Sequence, residues 1–379
     1  MRLISHKPLW LALVLPLVAC STTAPPAQVA TPVPMGWQAP LPHQGSLTDM
    51  ARWWTQLQDP LLVELIDAAQ AVSPGIAQAQ SRIAQARATQ VGSRAALLPA
   101  LDAQASASRG FNDQLARVAT TSQAGLQASW ELDLFGRVRR SIEAGSADLR
   151  ASAADLAALQ VAIAAQVATS YADLRGWQQR LHLAEANAAN QQDTLRLVQL
   201  RLAHGSGTEF DLARAQAQLE TTRSRIPVLQ ARIAVAQHRL AVLTGQVPEA
   251  LIAALDAPAA LPQLPQSIAP GTPAELLRRR PDVAAAEARL HAATARVGVA
   301  TAELFPRLSL GGLLGSSALG AGALFEAGSA SRSVFLGVDW SFLDVGRVRA
   351  RIAASEAGAQ VALAHYQQSV LLALEDTEN

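Results

Sequence analysis

The sequence predicts a mainly α-helical chain with a membrane β part: long coiled-coil helices plus two β-hairpins from an internal duplication. Three observations predict it. "WELDLFGRVRR" at Trp130–Arg140 returns as "WSFLDVGRVRA" at Trp340–Ala350, sharing five of eleven positions at a separation of 210 residues. Apolar–polar alternation, the mark of a strand with one wet face, precedes both phrases. After the first phrase a helical pattern runs unbroken from Ser141 to Ala203, with Leu149, Leu156, Ile163, Ser170, Trp177 and Ala184 seven apart.

Composition narrows the function classes. The 379 residues carry 31 basic and 30 acidic side chains, so a net charge of +1 leaves no footprint for nucleic acid. Only 16% are charged and 4% aromatic, while Ala is abundant, which suits long, closely packed helices. The seven His are scattered. No HExxH, Cys/His cluster or GxSxG elbow occurs, so neither catalysis nor a metal is expected.

At the amino end, Arg2 and Lys7 give a positive start to an apolar core, Pro8–Cys20, that is too short to span a bilayer. Residues 1–19 read as a signal peptide. Its end, "LVAC", resembles the lipobox of bacterial lipoproteins. The sole cysteine, Cys20, stands where lipidation needs it, and that covalent lipid is the only attached group expected. Ser21 suits sorting to the outer membrane in the lipoproteins it resembles. Residues 20–52 form a Pro-rich leash.

Residues 53–245 form a first repeat. A short amphipathic helix follows Pro60, and a second helix runs from Pro74 to about Leu98, ended by Pro99. Strands follow at Leu101–Phe111 and Ser122–Asp133. The helix Ser141–Ala203 would be roughly 95 Å long. The chain turns at "HGSGT", His204–Thr208, where Gly205 and Gly207 permit positive φ, and returns over Glu209 to about Thr244 with a kink expected at Pro227. The two shorter helices sum to about the length of the long one, so they are expected to stack end to end along it.

Residues 246–273 are a Pro-rich connector, and 274–379 open a second repeat. "PGIAQAQSR" matches "PDVAAAEAR", and "AALLPAL" matches "AELFPRL", both at an offset of 207. Strands are expected at Leu308–Gly315 and Ser333–Phe342, then a second long helix near Arg347. Against the first unit the second is incomplete, short by roughly 75 residues at the carboxyl end.

The strands have membrane-spanning length. Trp130 and Trp340 mark equivalent strand ends, as interfacial aromatics do. Gln123, Gln127, Glu131, Asp133 and Asp339 are expected to face a wet lumen. Gly136 and Gly346 are placed at the strand-to-helix bends, followed by Arg137 and Arg347. Four strands cannot close a barrel, and open edges do not survive in lipid, so several chains must share one. The other readings are two soluble hairpins packed face to face, and a lipid-anchored periplasmic coiled-coil scaffold without a pore.

"WWTQLQDPLLVELI", "ELDLFGRVRR", "RLAHGSGTEFDLARAQAQL", "LLRRRPDVAAAEARL", "ELFPRLSL" and "ALEDTEN", with the lipobox, resemble the TolC-like outer-membrane efflux proteins of the OprM/NodT lipoprotein branch. The resemblance covers nearly the whole chain. It implies a homotrimeric α/β barrel-tunnel, each chain giving four strands to a twelve-stranded barrel and its helices to a periplasmic tunnel with an equatorial belt. It implies passive export of small toxic molecules across the periplasm and outer membrane, with a periplasmic adaptor protein and an inner-membrane transporter as partners. It places His204, Gly205, Ser206, Gly207 and Thr208 at an adaptor-contacting tip. In such proteins the second tip and last helix follow "ALEDTEN", so the resemblance also implies a carboxyl-terminal truncation, with a non-functional copy as one reading.

Overall fold

The computed structural model describes residues 34–37, 47–113, 115–263 and 271–378. The signal peptide, Cys20 and most of the leash lie outside them.

A 3-10 segment, Leu47–Leu57, leads into helix α1, Pro60–Val72. Asp59 caps α1: its Oδ1 accepts the Leu62 N–H at 3.1 Å, and Pro60 fills the first helical position, where no N–H is needed. Helix α2 spans Pro74–Ala95. It stops three residues before the expected Leu98, because Pro99 disfavours helical backbone in the residue before it. Leu97 and Leu98 instead donate to Arg94 and Ala95 in tightened turns.

Strands β1, Ala100–Asn112, and β2, Arg117–Leu132, form the first hairpin. Helix α3 follows, Arg137–Ala203: 67 residues, or about 100 Å. It turns back into α4, Glu209–Arg223, and α5, Arg225–Leu243. The return helix breaks at Ser224 rather than at Pro227. Proline has no N–H for the carbonyl four residues earlier, that of Arg223, and its ring pushes that carbonyl away. The break therefore appears one turn upstream.

A single turn, α6 (Ile252–Leu255), and α7 (Pro273–Arg279) flank the connector. Thr272 and Glu275 form a reciprocal capping box on α7. Helix α8, Pro281–Ala302, strands β3, Arg307–Leu319, and β4, Ala330–Asp339, and helix α9, Val345–Glu378, complete the described chain.

All four strands pair antiparallel in the order β1-β2-β3-β4. The helices repeat that order. α2 packs on α3, α3 on α8, and α8 on α9. The result is a wall one element thick, with a strand continuing each helix. The α3/α8 seam is lined by small residues, among them Ala144, Ala147 and Ala151 facing Ala288, Ala292 and Ala295, which let the helices approach closely. Arg296–Asp148 and Arg289–Asp155 staple the two helices one heptad apart. Lower on α3, Arg239 and Arg223 reach Gln166 and Gln192, so α2 and then α5 and α4 follow one another along its length. The end-to-end stacking expected from helix lengths is present.

The main core lies halfway along α3. Leu62, Leu65 and Ile66 of α1, Ile163, Val167, Tyr171 and Leu174 of α3, Ile233 and Leu240 of α5, and Leu255 meet there.

Candidate functional site

The strand register sorts the sheet into two faces, because residues directly opposite point to the same side. Leu126 lies between Ala103 and Leu314; Trp130 pairs with Leu310, which pairs with Leu336; Leu132 pairs with Leu308, which pairs with Val338. These form one continuous apolar face. It stands open to the surroundings: Val334 is 82% exposed, Leu314 66% and Leu336 61%. On the other face Gln123 lies between Ser106 and Ser317, Gln127 beside Asp102, and Glu131 beside Ser309. Asp339 also stands there and receives Arg307 at 3.1 Å. Phe335 interrupts this polar face. Its ring lies over Gly311, where any Cβ would strike it.

Asp133 is not on that polar face. β2 ends at Leu132, and Asp133 caps α3: its Oδ1 accepts the Val138 N–H at 2.9 Å and its Oδ2 the Arg139 N–H at 3.0 Å. A carboxylate here satisfies helix-terminal donors and complements the helix dipole. That cap starts α3 at Arg137, four residues ahead of the expected Ser141.

The two strand-to-helix joints differ. Gly136 has φ +82°, a left-handed conformation that glycine adopts without penalty, so the first joint bends there. Gly346 does not serve as a bend. It lies in the first turn of α9, and the reversal is made by residues 341–344, where Asp344 N–H donates to the Ser341 carbonyl. Arg137 donates to Glu131 through Nε at 2.8 Å, and this bond holds its cation above the ordinary arginine range. Arg347 pairs with Asp344 at 3.2 Å.

Trp130 and Trp340 do more than stand at strand ends. Each indole N–H donates at 3.0 Å to a backbone carbonyl at the close of the preceding helix, Trp130 to Leu97 and Trp340 to Leu304. These acceptors occupy equivalent places in the repeat, and each bond latches a departing strand to an arriving one. Trp340 lies one residue past β4 rather than inside it. The stacked Phe135 and Phe305 rings, 4.8 Å apart, bind the β2–α3 joint to the connection between α8 and β3.

At the far end of α3, His204–Thr208 reverses the chain. Gly205 has φ +71°; its N–H donates to Leu202 and that of Ser206 to Arg201, a Schellman closure. Gly207 is needed for proximity, not for positive φ, since a Cβ would lie 3.0 Å from the Leu202 nitrogen. Thr208 caps α4 by accepting the Asp211 N–H at 3.1 Å.

A buried belt at mid-height went unread in the sequence. Arg175, 2% exposed, donates to Gln178 Oε1 at 2.8 Å and to the Ala257 carbonyl at 2.7 Å. Gln178 donates to the Leu255 carbonyl. Tyr171 O–H donates to Asp59 Oδ2 at 2.8 Å, while the other oxygen of Asp59 caps α1. Burial pushes the Tyr171 phenol up. Pro60 marked the start of α1 in the sequence; nothing local signalled that Asp59 before it would meet a partner 112 residues away. Among the described residues no group of acidic, His or Cys side chains is arranged to hold a metal.

Comparison with known proteins agrees with this geometry. The sequence profile described as "Outer membrane efflux protein" matches residues 65–246 and 272–379. The pyoverdine export outer membrane protein OpmQ of Pseudomonas putida is 36% identical over 97% of this chain and 80% of its own length. The outer membrane protein OprJ of Pseudomonas aeruginosa is 33% identical over 97% and 78%. The solved outer-membrane channel OprN superposes with a TM-score of 0.86 at 38% identity, covering 94% of this chain and 81% of its own. A register that gives the sheet one apolar and one polar face, set on a wall of long helices, is the arrangement such channels require, and the chain belongs to the outer membrane efflux protein family.

Proposed function

We propose that this chain is one third of the outer-membrane exit duct of a tripartite efflux pump. The observation that carries this is the open four-stranded sheet, whose register exposes a predominantly apolar face running across all four strands on one side. Edges β1 and β4 have no partner strand among the described residues. In lipid, unpaired edges are intolerable, so copies join β1 to β4; the trimer that the family resemblance implies then closes a twelve-stranded barrel. The polar face with Gln123, Gln127, Glu131 and Asp339 then lines the passage, and the helical wall continues it for about 100 Å through the periplasm.

The duct is passive; energy comes from an inner-membrane transporter bridged by a periplasmic adaptor, which the His204–Thr208 tip contacts. Relatives are named for pyoverdine export, solvent efflux and toluene efflux, and the cargo here is of that small-molecule class. A lipid on Cys20 tethers the leash to the outer membrane.

Planar-bilayer recording from the purified full-length protein tests the duct. Discrete single-channel conductance is expected. No conductance, together with a delipidated monomer that stays in water, would instead favour a periplasmic scaffold. For the anchor, Cys20→Ala is expected to abolish metabolic labelling by palmitate while the β signal in circular dichroism persists; label surviving in that variant refutes it.

A further inference from the structure

The register also places two cations on the face that meets lipid. Arg109 lies opposite Thr120, and Arg332 opposite Leu314, which lies opposite Leu126. Both therefore project from the apolar side of the sheet, and both are exposed. Their height can be gauged from the tryptophans. Thr120 is ten residues above Trp130 on β2, and Arg332 is eight above Trp340 on the β4 side. At about 3.3 Å per residue and a tilt near 40°, these spans correspond to roughly 20–25 Å of height, one hydrocarbon thickness. Phe111, two residues beyond Arg109 on the same face, is 66% exposed, as an upper aromatic girdle residue is. The arginines thus stand at the headgroup level of the outer leaflet, where long cationic side chains extend toward the interface.

Neither arginine has an ion pair among the described residues; Asp113 and Glu326 lie in the hairpin loops and pair with neither. Moreover, β1 and β4 are the edge strands. Closing the barrel brings Arg109 of one copy and Arg332 of the next to the same seam. Two like charges there repel unless an anion lies between them.

We propose that Arg109 and Arg332 form an intersubunit site for the phosphate groups of outer-leaflet glycolipid, one site per seam. Phosphate accepts charge-assisted hydrogen bonds from guanidinium groups of both copies, which turns a repulsive seam into a bridged one. The site rests on the shared-barrel reading above.

The test uses the full-length protein extracted in non-ionic detergent and titrated with lipid A, a bis-phosphorylated glycolipid, followed by native mass spectrometry. Wild-type trimers are expected to retain up to three lipid A molecules. The variant with Arg109→Gln and Arg332→Gln is expected to bind about thirtyfold more weakly, two basic contacts being lost. Arg109→Lys with Arg332→Lys keeps the charge and most of the binding, which separates a lost contact from a misfolded strand. Arg214→Gln, on α4, leaves binding unchanged. Lipid A retention by the glutamine variant equal to wild type overturns the site alone. A wild-type chain that forms no membrane trimer overturns the shared barrel and the site with it.

Discussion

Asp59 spends its two oxygens on different elements, one on the first turn of α1 and one on the Tyr171 hydroxyl of α3. Tyr171→Phe removes only the second bond and is expected to cost about 1 kcal/mol, whereas Asp59→Ala removes the cap as well and costs about twice that. The phenol also sets a pH limit. Its folded pKa is raised, so its stabilisation is complete below the unfolded value of about 10 and is lost as pH climbs through the folded one. Thermal melts from pH 8 to 11 should show an alkaline fall in the wild type that is shallower in Tyr171→Phe. Glycine gives a second contrast. Gly136→Ala forces a Cβ into left-handed backbone and should cost about 1–2 kcal/mol, while Gly346→Ala, within a helix and with open space around its Cβ position, should gain about 0.5–1 kcal/mol. Equal melting shifts for the two would contradict the asymmetry between the joints.

Among the elements, the α3/α8 seam is held by packing more than by its ion pairs. The side chains of Asp148, Asp155, Arg289 and Arg296 are 40–55% exposed, so removing either pair should cost under about 1 kcal/mol. Ala292 is fully buried, and Ala292→Leu should cost about 1–3 kcal/mol by wedging the helices apart. Urea titrations of Asp148→Asn, Asp155→Asn and Ala292→Leu would rank them. The same distinction explains what could be read beforehand. Periodicity located α3 and both hairpins, because seven-residue and two-residue repeats are written locally, and helix lengths alone gave the stacking of the shorter helices. The recurrence of the Gly-Arg-Val-Arg phrase located both joints but suggested one geometry for them. It missed that Asp133 caps the first joint, while residues 341–344 carry the second. The Trp latches and the Arg175–Gln178 belt depend on contacts tens of residues apart, for which no local pattern exists.

For the molecule as a whole, thinness is the governing property. Strands and helices follow the same order, and among the described residues the sheet has no second layer, while the helical wall is covered only at mid-height, where α1 packs on α3. Leu101, Val334, Leu336 and Val338 stand exposed among the described residues, so the final burial of the sheet belongs to lipid and to neighbouring copies. Only the mid-height core around Tyr171 resembles the interior of an ordinary globular domain. The expected order of assembly therefore starts there and in the paired helices, with barrel closure last.

The two unpaired edges of the sheet also have a genetic consequence. In a ring of three, each copy must offer a sound edge on both sides, so a single faulty member leaves a gap that no other can fill. When an Ala105→Pro chain, blunted on the edge strand β1, is expressed in equal amount beside the normal one, random mixing leaves only about one ring in eight wholly normal. Such an allele is expected to be dominant, sensitising cells that still carry an intact copy. Co-expression with a drug-susceptibility assay checks this: a recessive outcome would mean that faulty chains are excluded before rings form.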